Sequence, residues 1–312
     1  MAQTVSKSLP TTVLMTMPVS ERMRSMPVRA VVGCPHNRCK FCFLFRGESV
    51  SKFSVLPLEE TKCDVLALKD FYLSCILPRG RNPNIFIGDG DAMALPPQHF
   101  LELLRFLREN IPNLERVIVY AGVRSILNKK DRLKALREAG LTDAYIGFET
   151  GLDSLLQFNI KGVSAEENIA AARYLSESGI AIHAMVISGL GGVDHSKEHA
   201  LATTEMLNII QPHSLVITRL DICNLDTNDA YTQMIEEGTF RPLPDELLVL
   251  EELEIVRALK DGIGRRFFVA GGVACCGEHF ETSSRELFIA KLEYMLGLVR
   301  SGVSLIHAFS PY

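Results

Sequence analysis

The sequence lacks any apolar run approaching the length of a membrane-spanning helix, which needs about 18 residues. Residues 1–26 hold five of the ten methionines, but they lack the uninterrupted apolar core of a secretory signal peptide. Both absences predict a cytoplasmic protein without a membrane partner, and the scattered Cys63, Cys75 and Cys223 suit the reduced thiols of that compartment. We interpret residues 1–26 as a partly ordered N-terminal lead-in.

Clustered positive charge is also absent. The net charge is -4, the isoelectric point is near 6.1, and the basic stretches Arg79–Arg81 and Asn128–Lys130 are short. A surface that binds the phosphates of nucleic acid needs clustered lysines and arginines. The sequence therefore gives no indication of a nucleic-acid partner.

Cysteine is present, and three of the eight cysteines are grouped. They lie in the segment Cys34-Pro-His-Asn-Arg-Cys39-Lys-Phe-Cys42, directly after the apolar run Val28–Gly33. The run predicts a strand. The thiols are therefore expected on a loop at the carboxyl end of that strand, where α/β folds place their active sites.

The number of grouped thiols bears on the kind of metal site. A structural zinc site is normally closed by four protein ligands, and no fourth Cys or His lies at the corresponding spacing downstream. A 4Fe-4S cluster held by three cysteines keeps one iron open for a non-protein ligand. We interpret His36, between the first two cysteines, as a loop residue. The pattern indicates an iron-sulfur cluster, with a zinc site or a loop without metal as the alternative.

Strands and helices alternate after this segment. Further strands are predicted at Asn84–Gly88, Arg116–Tyr120, Ala144–Phe148, Ile180–Ile187 and Ser214–Leu220. Helices are predicted at Pro57–Leu77, Pro97–Asn110, Lys130–Ala139, Ser164–Ser178, Lys197–Ile210 and Pro244–Gly262. Ser164 and Glu167 have the spacing of a capping box. Six consecutive strand-helix units predict an α/β fold with a parallel sheet, either a barrel or an open doubly wound sheet.

A loop with three cysteines after the first strand, with Phe41 just before the last cysteine, resembles the radical S-adenosylmethionine (radical SAM) superfamily. The common family spacing is three residues and then two, whereas four and then two separate the cysteines here, a CX4CX2C variant. The resemblance implies that Cys34, Cys39 and Cys42 hold a 4Fe-4S cluster whose open iron binds S-adenosylmethionine. It also implies a partial (β/α)6 TIM-like barrel with a C-terminal α/β extension.

The segment Gly88-Asp-Gly-Asp91, after the second strand, resembles the family's Gly-Gly-Glu motif. The resemblance implies that Gly90 admits close approach of the backbone to the cofactor and that Asp91 accepts hydrogen bonds from its amino group. Asp89 replaces a glycine of that motif, so either acid can carry the role. An ordinary Gly/Asp turn is the alternative.

The segment Gly147-Phe-Glu149-Thr-Gly151 resembles the Gly-x-Glu-Ser-Gly segment of the subgroup that includes oxygen-independent coproporphyrinogen oxidase and several tRNA-modifying members. This implies that Glu149 binds the sulfonium or ribose of the cofactor, with a helix N-cap as the alternative. The turn Gly189–Gly192 resembles the family's Gly-Leu-Pro-Gly turn. Gly189 would allow the adenosine to pass closely, although any tight turn uses such glycines.

Two further features lie toward the C-terminus. Arg219 is a charged residue in an apolar run, and it can bind an acidic substrate or the cofactor carboxylate, or form a buried ion pair with Asp221. Cys275 and Cys276 are candidate catalytic residues, as thiols near the substrate. The alternative is that they are buried apolar cysteines after a Gly-Gly turn.

The resemblance implies an enzyme that reductively cleaves S-adenosylmethionine and begins radical chemistry on a substrate that the sequence does not identify. It implies a reducing partner such as flavodoxin or ferredoxin. We divide the chain into the lead-in 1–26, a radical SAM partial barrel 27–264 and a C-terminal cap 265–312. The alternative function is a non-catalytic zinc or iron-sulfur regulatory protein on the same barrel.

Overall fold

Buried strands form the centre of the fold, as expected of apolar segments that alternate with helices. The computed structural model describes residues 17–22, 24–42, 44–45, 52–222, 229–264, 266–271 and 279–305. The strands found there are β1 (Ser25–Gly33), β2 (Ser54–Val55), β3 (Asn84–Gly90), β4 (Arg116–Tyr120), β5 (Asp143–Glu149), β6 (Ala181–Ser188), β7 (Ser214–Arg219), β8 (Phe267–Gly271) and β9 (His279–Thr282).

These strands pair in one sheet in the order β2-β1-β3-β4-β5-β6-β7-β8-β9. Strands β1, β3, β4, β5, β6, β7 and β8 run parallel to one another, whereas β2 and β9 pair antiparallel at the two edges. Parallel neighbours need a crossover connection, which a helix normally supplies. The expected mixed α/β class with a mostly parallel sheet is confirmed.

Helices fill the connections between the strands. They are α1 (Val19–Arg22), α2 (Leu58–Phe71), α3 (Pro97–Asn110), α4 (Val123–Asn128), α5 (Leu133–Ala139), α6 (Asp153–Phe158), α7 (Ala165–Glu177), α8 (Gly192–Ile210), α9 (Asp229–Glu236), α10 (Asp245–Arg257) and α11 (Arg285–Arg300). In the described part of the chain, no helix has the length and apolar character needed to cross a membrane.

Several helix bounds differ from those expected from the sequence. Helix α8 begins at Gly192 rather than Lys197, and α10 ends at Arg257 rather than Gly262. The first difference arises because the glycines before Lys197 carry no apolar period. Helices α4 and α6 were not predicted, since each has six residues and is too short to show periodicity.

The capping box at the start of α7 is confirmed. The Ser164 hydroxyl accepts a hydrogen bond from the Glu167 amide at 3.1 Å, and the Glu167 carboxylate accepts one from the Ser164 amide at 2.9 Å. Both bonds satisfy backbone donors that the first helical turn leaves without partners. The predicted helix Lys130–Ala139 is shorter than expected, because it opens with a 3-10 turn at Lys130–Arg132.

The chain after residue 264 continues the sheet. Strand β8 pairs in parallel with β7 and antiparallel with β9, so it adds a seventh parallel strand beyond the six that were predicted. Helix α11 then packs against α10. The domain boundary at residue 264 and the capping role of residues 265–312 remain predictions.

The two faces of the sheet have separate cores. Along β3 the side chains of Ile85 and Ile87 join the large core, while Phe86 between them joins a second cluster with Ile118 and Tyr145. Alternate residues of a strand point to opposite faces, so the second cluster lies on the face away from most helices. Met17 of the N-terminal segment, which is 1% exposed, completes this second cluster.

Glu21, 1% exposed, fixes the N-terminal segment at the amino ends of the strands. Its carboxylate pairs with Arg116 at 3.1 Å and accepts hydrogen bonds from Tyr145 at 3.0 Å and Ser25 at 2.6 Å. Arg116 also pairs with Asp143 at 3.2 Å. Because these strand ends lie opposite the carboxyl ends, this network serves the fold rather than the expected site.

Replacing Glu21 by Gln should lower the free energy of unfolding by about 2 to 4 kcal/mol, because Arg116 loses a buried charged partner. Glu59→Gln is the matched control, since Glu59 pairs with Lys62 at the surface and should cost below about 0.5 kcal/mol. Urea denaturation of both variants gives the comparison. Equal losses would contradict the anchoring role of Glu21.

Candidate functional site

The three grouped cysteines lie on an irregular segment after β1, which we call the cysteine loop (residues 34–42). Cys34, Cys39 and Cys42 are each partly exposed, and none forms a disulfide. Burial raises the pKa of Cys39 to about 11, although the positive charge of Lys161 lowers it. Negative charge on Cys34 or Cys42 raises the pKa of Cys39 further. The three sulfurs therefore lie close enough to interact electrostatically.

The cysteine loop is anchored to the segment that follows α6, which we call the 159–162 turn. The Lys40 amide donates to the Asn159 carbonyl at 3.0 Å, and His36 Nε2 donates to the Ile160 carbonyl at 2.6 Å. Gly162 has a φ of 75°, and a Cβ at this position would lie 2.8 Å from the His36 ring. His36 is thus a loop residue, as expected, and its ring fixes the loop in place.

Glu149 and Lys161 form a largely buried ion pair beside the cysteine loop. The Lys161 ammonium lies 2.6 Å from the Glu149 carboxylate and 5.5 Å from the Phe41 ring centre. Burial alone would lower the pKa of Lys161, but the charges of Glu149 and Cys39 hold it above its usual value. Lys161 thus brings a positive charge to the thiols, whereas the negative charge of Glu149 acts in the opposite direction on the pKa of Cys39.

The backbone of β5 is irregular where it presents Glu149. The pairing of β5 with β6 shifts register between Gly147 and Glu149, and Glu149 has a φ of 65°, in the left-handed region. A Cβ on Gly147 would lie 2.1 Å from the Glu149 carboxylate oxygen. The glycine is therefore required so that the Glu149 side chain can fold back toward Lys161. Such backbone outliers cost free energy and concentrate at functional sites.

Gly90 packs against the residue that precedes the cysteine loop. Its φ is 134°, and a Cβ here would lie 1.8 Å from the Gly33 carbonyl oxygen. The Asp91 amide donates to the same oxygen at 3.2 Å. The ends of β1 and β3 are thus held together at the base of the cysteine loop, as a close-approach glycine permits.

The Asp91 carboxylate is buried at the start of α4. One oxygen accepts from the Gly122 amide at 3.0 Å, and the other accepts from the Ser125 hydroxyl at 2.6 Å. Burial raises the pKa of Asp91 above its usual value, although both hydrogen bonds oppose the shift. The Met93 amide also donates to this carboxylate, and because a carboxylate has about four lone-pair sites, Asp91 can accept from one further donor. Asp89 is also buried, with a φ of 75°.

The turn after β6 is held by an acid of α10. Glu251, 2% exposed, accepts a hydrogen bond from the Gly189 amide at 2.7 Å and another from Ser196 at 2.5 Å. Burial raises the pKa of Glu251 to about 7. Its carboxylate lies 3.7 Å from His199, whose pKa burial lowers to about 4, and His199 in turn contacts Thr150 at 2.8 Å. This buried chain of polar groups links the ends of β5 and β6.

Arg219 forms a bidentate ion pair with Glu252 of α10. The two contacts measure 2.8 and 3.0 Å, and the Ser188 hydroxyl donates to the same carboxylate at 2.9 Å. The buried ion pair considered for Arg219 is thus present, and its acid is Glu252 from a later helix. The pairing of Arg219 with Asp221 stays a prediction.

Phe41 connects the cysteine loop to the strand ends farther along the sheet. It packs against a hydrophobic cluster that contains Ile187, Leu190 and Tyr231. The Tyr231 hydroxyl donates to the Asn159 side chain at 2.7 Å, so α9 also supports the 159–162 turn. The structure therefore brings together the cysteine loop, Glu149 and the end of β6. Cys275 and Cys276 lie outside the described residues.

The donor set of the cysteine loop consists of three thiols, which are the ligands of an iron-sulfur cluster. Zinc ligands must converge on a single point at about 2.3 Å. The thiolates of a 4Fe-4S cluster bind different irons and need no such convergence. Three neighbouring thiols beside a buried lysine therefore suit an anionic cluster.

Sequence reasoning missed Lys161, Glu251 and His199. Lys161 lies in a short polar connection, and no local pattern links it to Glu149. Glu251 and Glu252 are consecutive acids on a helix, which normally indicates a solvated face. The sequence carried one signal of their burial, because apolar residues lie on both sides of this acidic pair.

Comparison with known proteins gives a family and a fold. Residues 28–204, more than half of the chain, match the family model described as the Radical SAM superfamily. A search of curated protein sequences gave no match.

Three solved structures illustrate the likeness. HydG, a maturase of the FeFe-hydrogenase, is 17% identical with a TM-score of 0.52, over 78% of this chain and 51% of that one. Methylornithine synthase (PylB) is 17% identical with a TM-score of 0.49, over 90% and 87%. Coproporphyrinogen III oxidase (HemN) from Escherichia coli is 18% identical with a TM-score of 0.46, over 89% and 52%. The chain thus spans about half the length of HydG, and that likeness shows a shared fold.

Removing the charge of Glu251 should change how stability depends on pH. Its pKa is about 7 in the folded protein and 4.5 in the unfolded chain, so the free energy of unfolding falls as pH rises between these values. Glu251→Gln abolishes this fall. Relative to the parent, the free energy of unfolding of the variant should therefore rise by about 1 to 3 kcal/mol between pH 4.5 and pH 7. Above pH 7 the difference between the two proteins should stay constant.

Urea denaturation across this pH range measures the difference. Glu254→Gln is the matched control, because Glu254 is exposed on the same helix. Parallel stability curves for the parent and Glu251→Gln would contradict the raised pKa.

Proposed function

The chain belongs to the radical SAM superfamily, and we propose that it is an enzyme that binds one 4Fe-4S cluster through Cys34, Cys39 and Cys42 and uses S-adenosylmethionine for radical chemistry. One observation carries the proposal. Three neighbouring thiols without disulfides lie at the carboxyl end of the first parallel strand, beside the buried Glu149–Lys161 pair. The substrate stays undefined.

The cluster, when bound and reduced, supplies one electron for cleavage of a carbon-sulfur bond of S-adenosylmethionine. The protein holds and orients both cofactors and limits the access of water. The anchoring of His36 and Lys40 on the 159–162 turn serves the first task, because it fixes the positions of the thiols.

We assign the Glu149–Lys161 pair to the cofactor site. The Lys161 ammonium offsets part of the negative charge that three thiolates bring together, and it can donate to a cofactor carboxylate. Glu149 holds Lys161 in place and can accept a hydrogen bond from an ammonium or hydroxyl group of S-adenosylmethionine. The Gly147–Gly151 segment supports placement in the subgroup similar to coproporphyrinogen oxidase, whereas the CX4CX2C spacing of the cysteines departs from the common family spacing.

The other candidate residues would either leave space for the cofactor or contact it through their side chains. We propose that Gly90 and Gly189 let the cofactor approach the ends of β3 and β6, and that Phe41 packs beside it. Asp91 would accept from the cofactor amino group through its remaining lone pair. Arg219, held by Glu252, would offer a fixed positive charge at the end of β7.

We retain the division into lead-in 1–26, barrel 27–264 and cap 265–312 as part of this proposal. Cys275 and Cys276 remain candidates for a thiol near the substrate. A reducing partner such as flavodoxin or ferredoxin would supply the electron. A reducing compartment such as the cytoplasm suits the cysteine loop. A zinc or regulatory protein is the less well supported alternative, because residues 28–204 match the Radical SAM superfamily model.

Replacing Cys39 by Ala should abolish the brown colour and lower the iron content of the reconstituted protein from about four per chain to near zero. Cys63→Ala is the matched control, because Cys63 is an exposed thiol on α2 and should keep the full iron content. Iron analysis, absorbance and formation of 5′-deoxyadenosine with dithionite test the assignment. A parent protein that holds one zinc and forms no 5′-deoxyadenosine would overturn the proposed function.

Glu149→Gln should keep the iron content but weaken the binding of S-adenosylmethionine at least about tenfold, or about 1.4 kcal/mol, because Lys161 loses its charged partner. Equilibrium dialysis with labelled cofactor measures the affinity. The exposed Glu166→Gln on α7 is the control and should bind as the parent does. Equal affinity in all three proteins would remove Glu149 from the cofactor site.

A further inference from the structure

An exposed patch lies on the outer side of the cysteine loop. We define the carrier patch as Arg38, Lys40, Phe158 and Ile160. Phe158 is 37% exposed and Ile160 is 45% exposed, and the Lys40 ammonium lies 4.1 Å from the centre of the Phe158 ring. Arg38 is exposed on the same loop. The patch thus combines apolar side chains with positive charge at its edge.

Ile160 occupies a backbone conformation that its side chain disfavours. Its φ is 54°, in the left-handed region, where a β-branched residue is a genuine outlier. Asn or Gly would satisfy this conformation at lower cost, and either would leave the carbonyl available to His36. The strain and the exposed apolar surface are both costs to the isolated protein. A binding role for the side chain accounts for both.

The charge of the patch differs from that of the whole chain. The chain has a net charge of -4, yet residues 34–42 contain Arg38 and Lys40 and no Asp or Glu, while the nearby Lys161 is largely buried and paired with Glu149. The exposed Arg124 adds another positive charge, since its guanidinium donates to the Gly162 carbonyl. The electrostatics therefore favour a partner with a negative surface.

The patch is directly connected to the thiols. Arg38 and Lys40 flank Cys39 in the sequence, and the Lys40 amide is bonded to the Asn159 carbonyl between Phe158 and Ile160. A protein bound here would lie within a few side chains of the group held by the cysteine loop. Short separation is what electron transfer between two proteins requires.

We propose that the carrier patch is the docking surface for an acidic one-electron carrier protein, with a flavin or iron-sulfur centre. The inference rests on the proposed function, since it names the partner of that site. The carrier gives up one electron and the site gains one, so no other reactant is needed. A small contact area suits such encounters, because redox partners bind weakly and exchange rapidly. A second copy of this net-negative chain is the less suitable occupant.

Two single variants test the patch with a purified acidic flavodoxin as the probe. Ile160→Asn removes apolar surface but suits the left-handed backbone, and Arg38→Gln removes charge. Each should weaken flavodoxin binding, measured by calorimetry on the reconstituted protein, at least about fivefold. The controls are Leu201→Asn on α8 and Arg105→Gln on α3, because both residues are exposed and lie outside the patch. Both control variants should bind flavodoxin with an affinity within about twofold of the parent's.

A second readout separates this inference from the proposed function. In both patch variants, 5′-deoxyadenosine formation driven by limiting reduced flavodoxin should fall relative to formation driven by dithionite in the same sample, with both rates taken per iron bound. The parent's affinity for flavodoxin should also fall at least about fivefold between about 50 and about 300 mM salt. Absence of that salt dependence, or equal binding by patch and control variants, overturns the docking surface alone.

Two other results would also decide the matter. Self-association of the parent that Ile160→Asn abolishes, seen by sedimentation, would assign the patch to a second copy and overturn the carrier. Failure of the parent to form 5′-deoxyadenosine with dithionite overturns the proposed function and this inference together.

Discussion

The contact between the cysteine loop and the 159–162 turn is the constraint on which the site depends. The cysteine loop has no regular secondary structure, so backbone bonds within a helix or sheet cannot position it. Two hydrogen bonds from Lys40 and His36 to that turn do so instead. Because the turn follows β5 and α6, it brings Lys161 and Glu149 to the thiols. One docking contact therefore sets both the thiol geometry and the charge beside it.

Backbone strain is concentrated along the same edge of the sheet. Asp89, Glu149 and Ile160 all have positive φ, and Gly90 allows a contact that any Cβ would block. Asp89 and Gly90 lie at the carboxyl end of β3, Glu149 ends β5, and Ile160 follows the helix after β5. The buried core of the parallel sheet supplies the stability that tolerates such local costs. The edge is thus shaped for binding at the expense of local stability.

The sequence was sufficient for much of the fold and for part of the site. Strand β4 and helix α3 have the bounds that were predicted, because a short buried run and an amphipathic pattern beginning at Pro97 are local signals. Lys161 could not be predicted, since its pairing with Glu149 depends on how a short connection folds back. The Arg219–Glu252 pair likewise spans 33 positions. Contacts of this kind come from the tertiary fold, and local patterns carry no record of them.

The contacts of Glu21 join parts of the chain that are synthesised at different times. Glu21 accepts a hydrogen bond from Tyr145, which is 124 positions later, and it pairs with Arg116. A ribosome adds about 5 to 20 residues per second, so the first anchor emerges on the order of ten seconds before its partners. During this interval the Met17 side chain lacks Ile118 and Tyr145, which later bury it. This apolar side chain therefore stays in contact with solvent until the strands that cover it have been made.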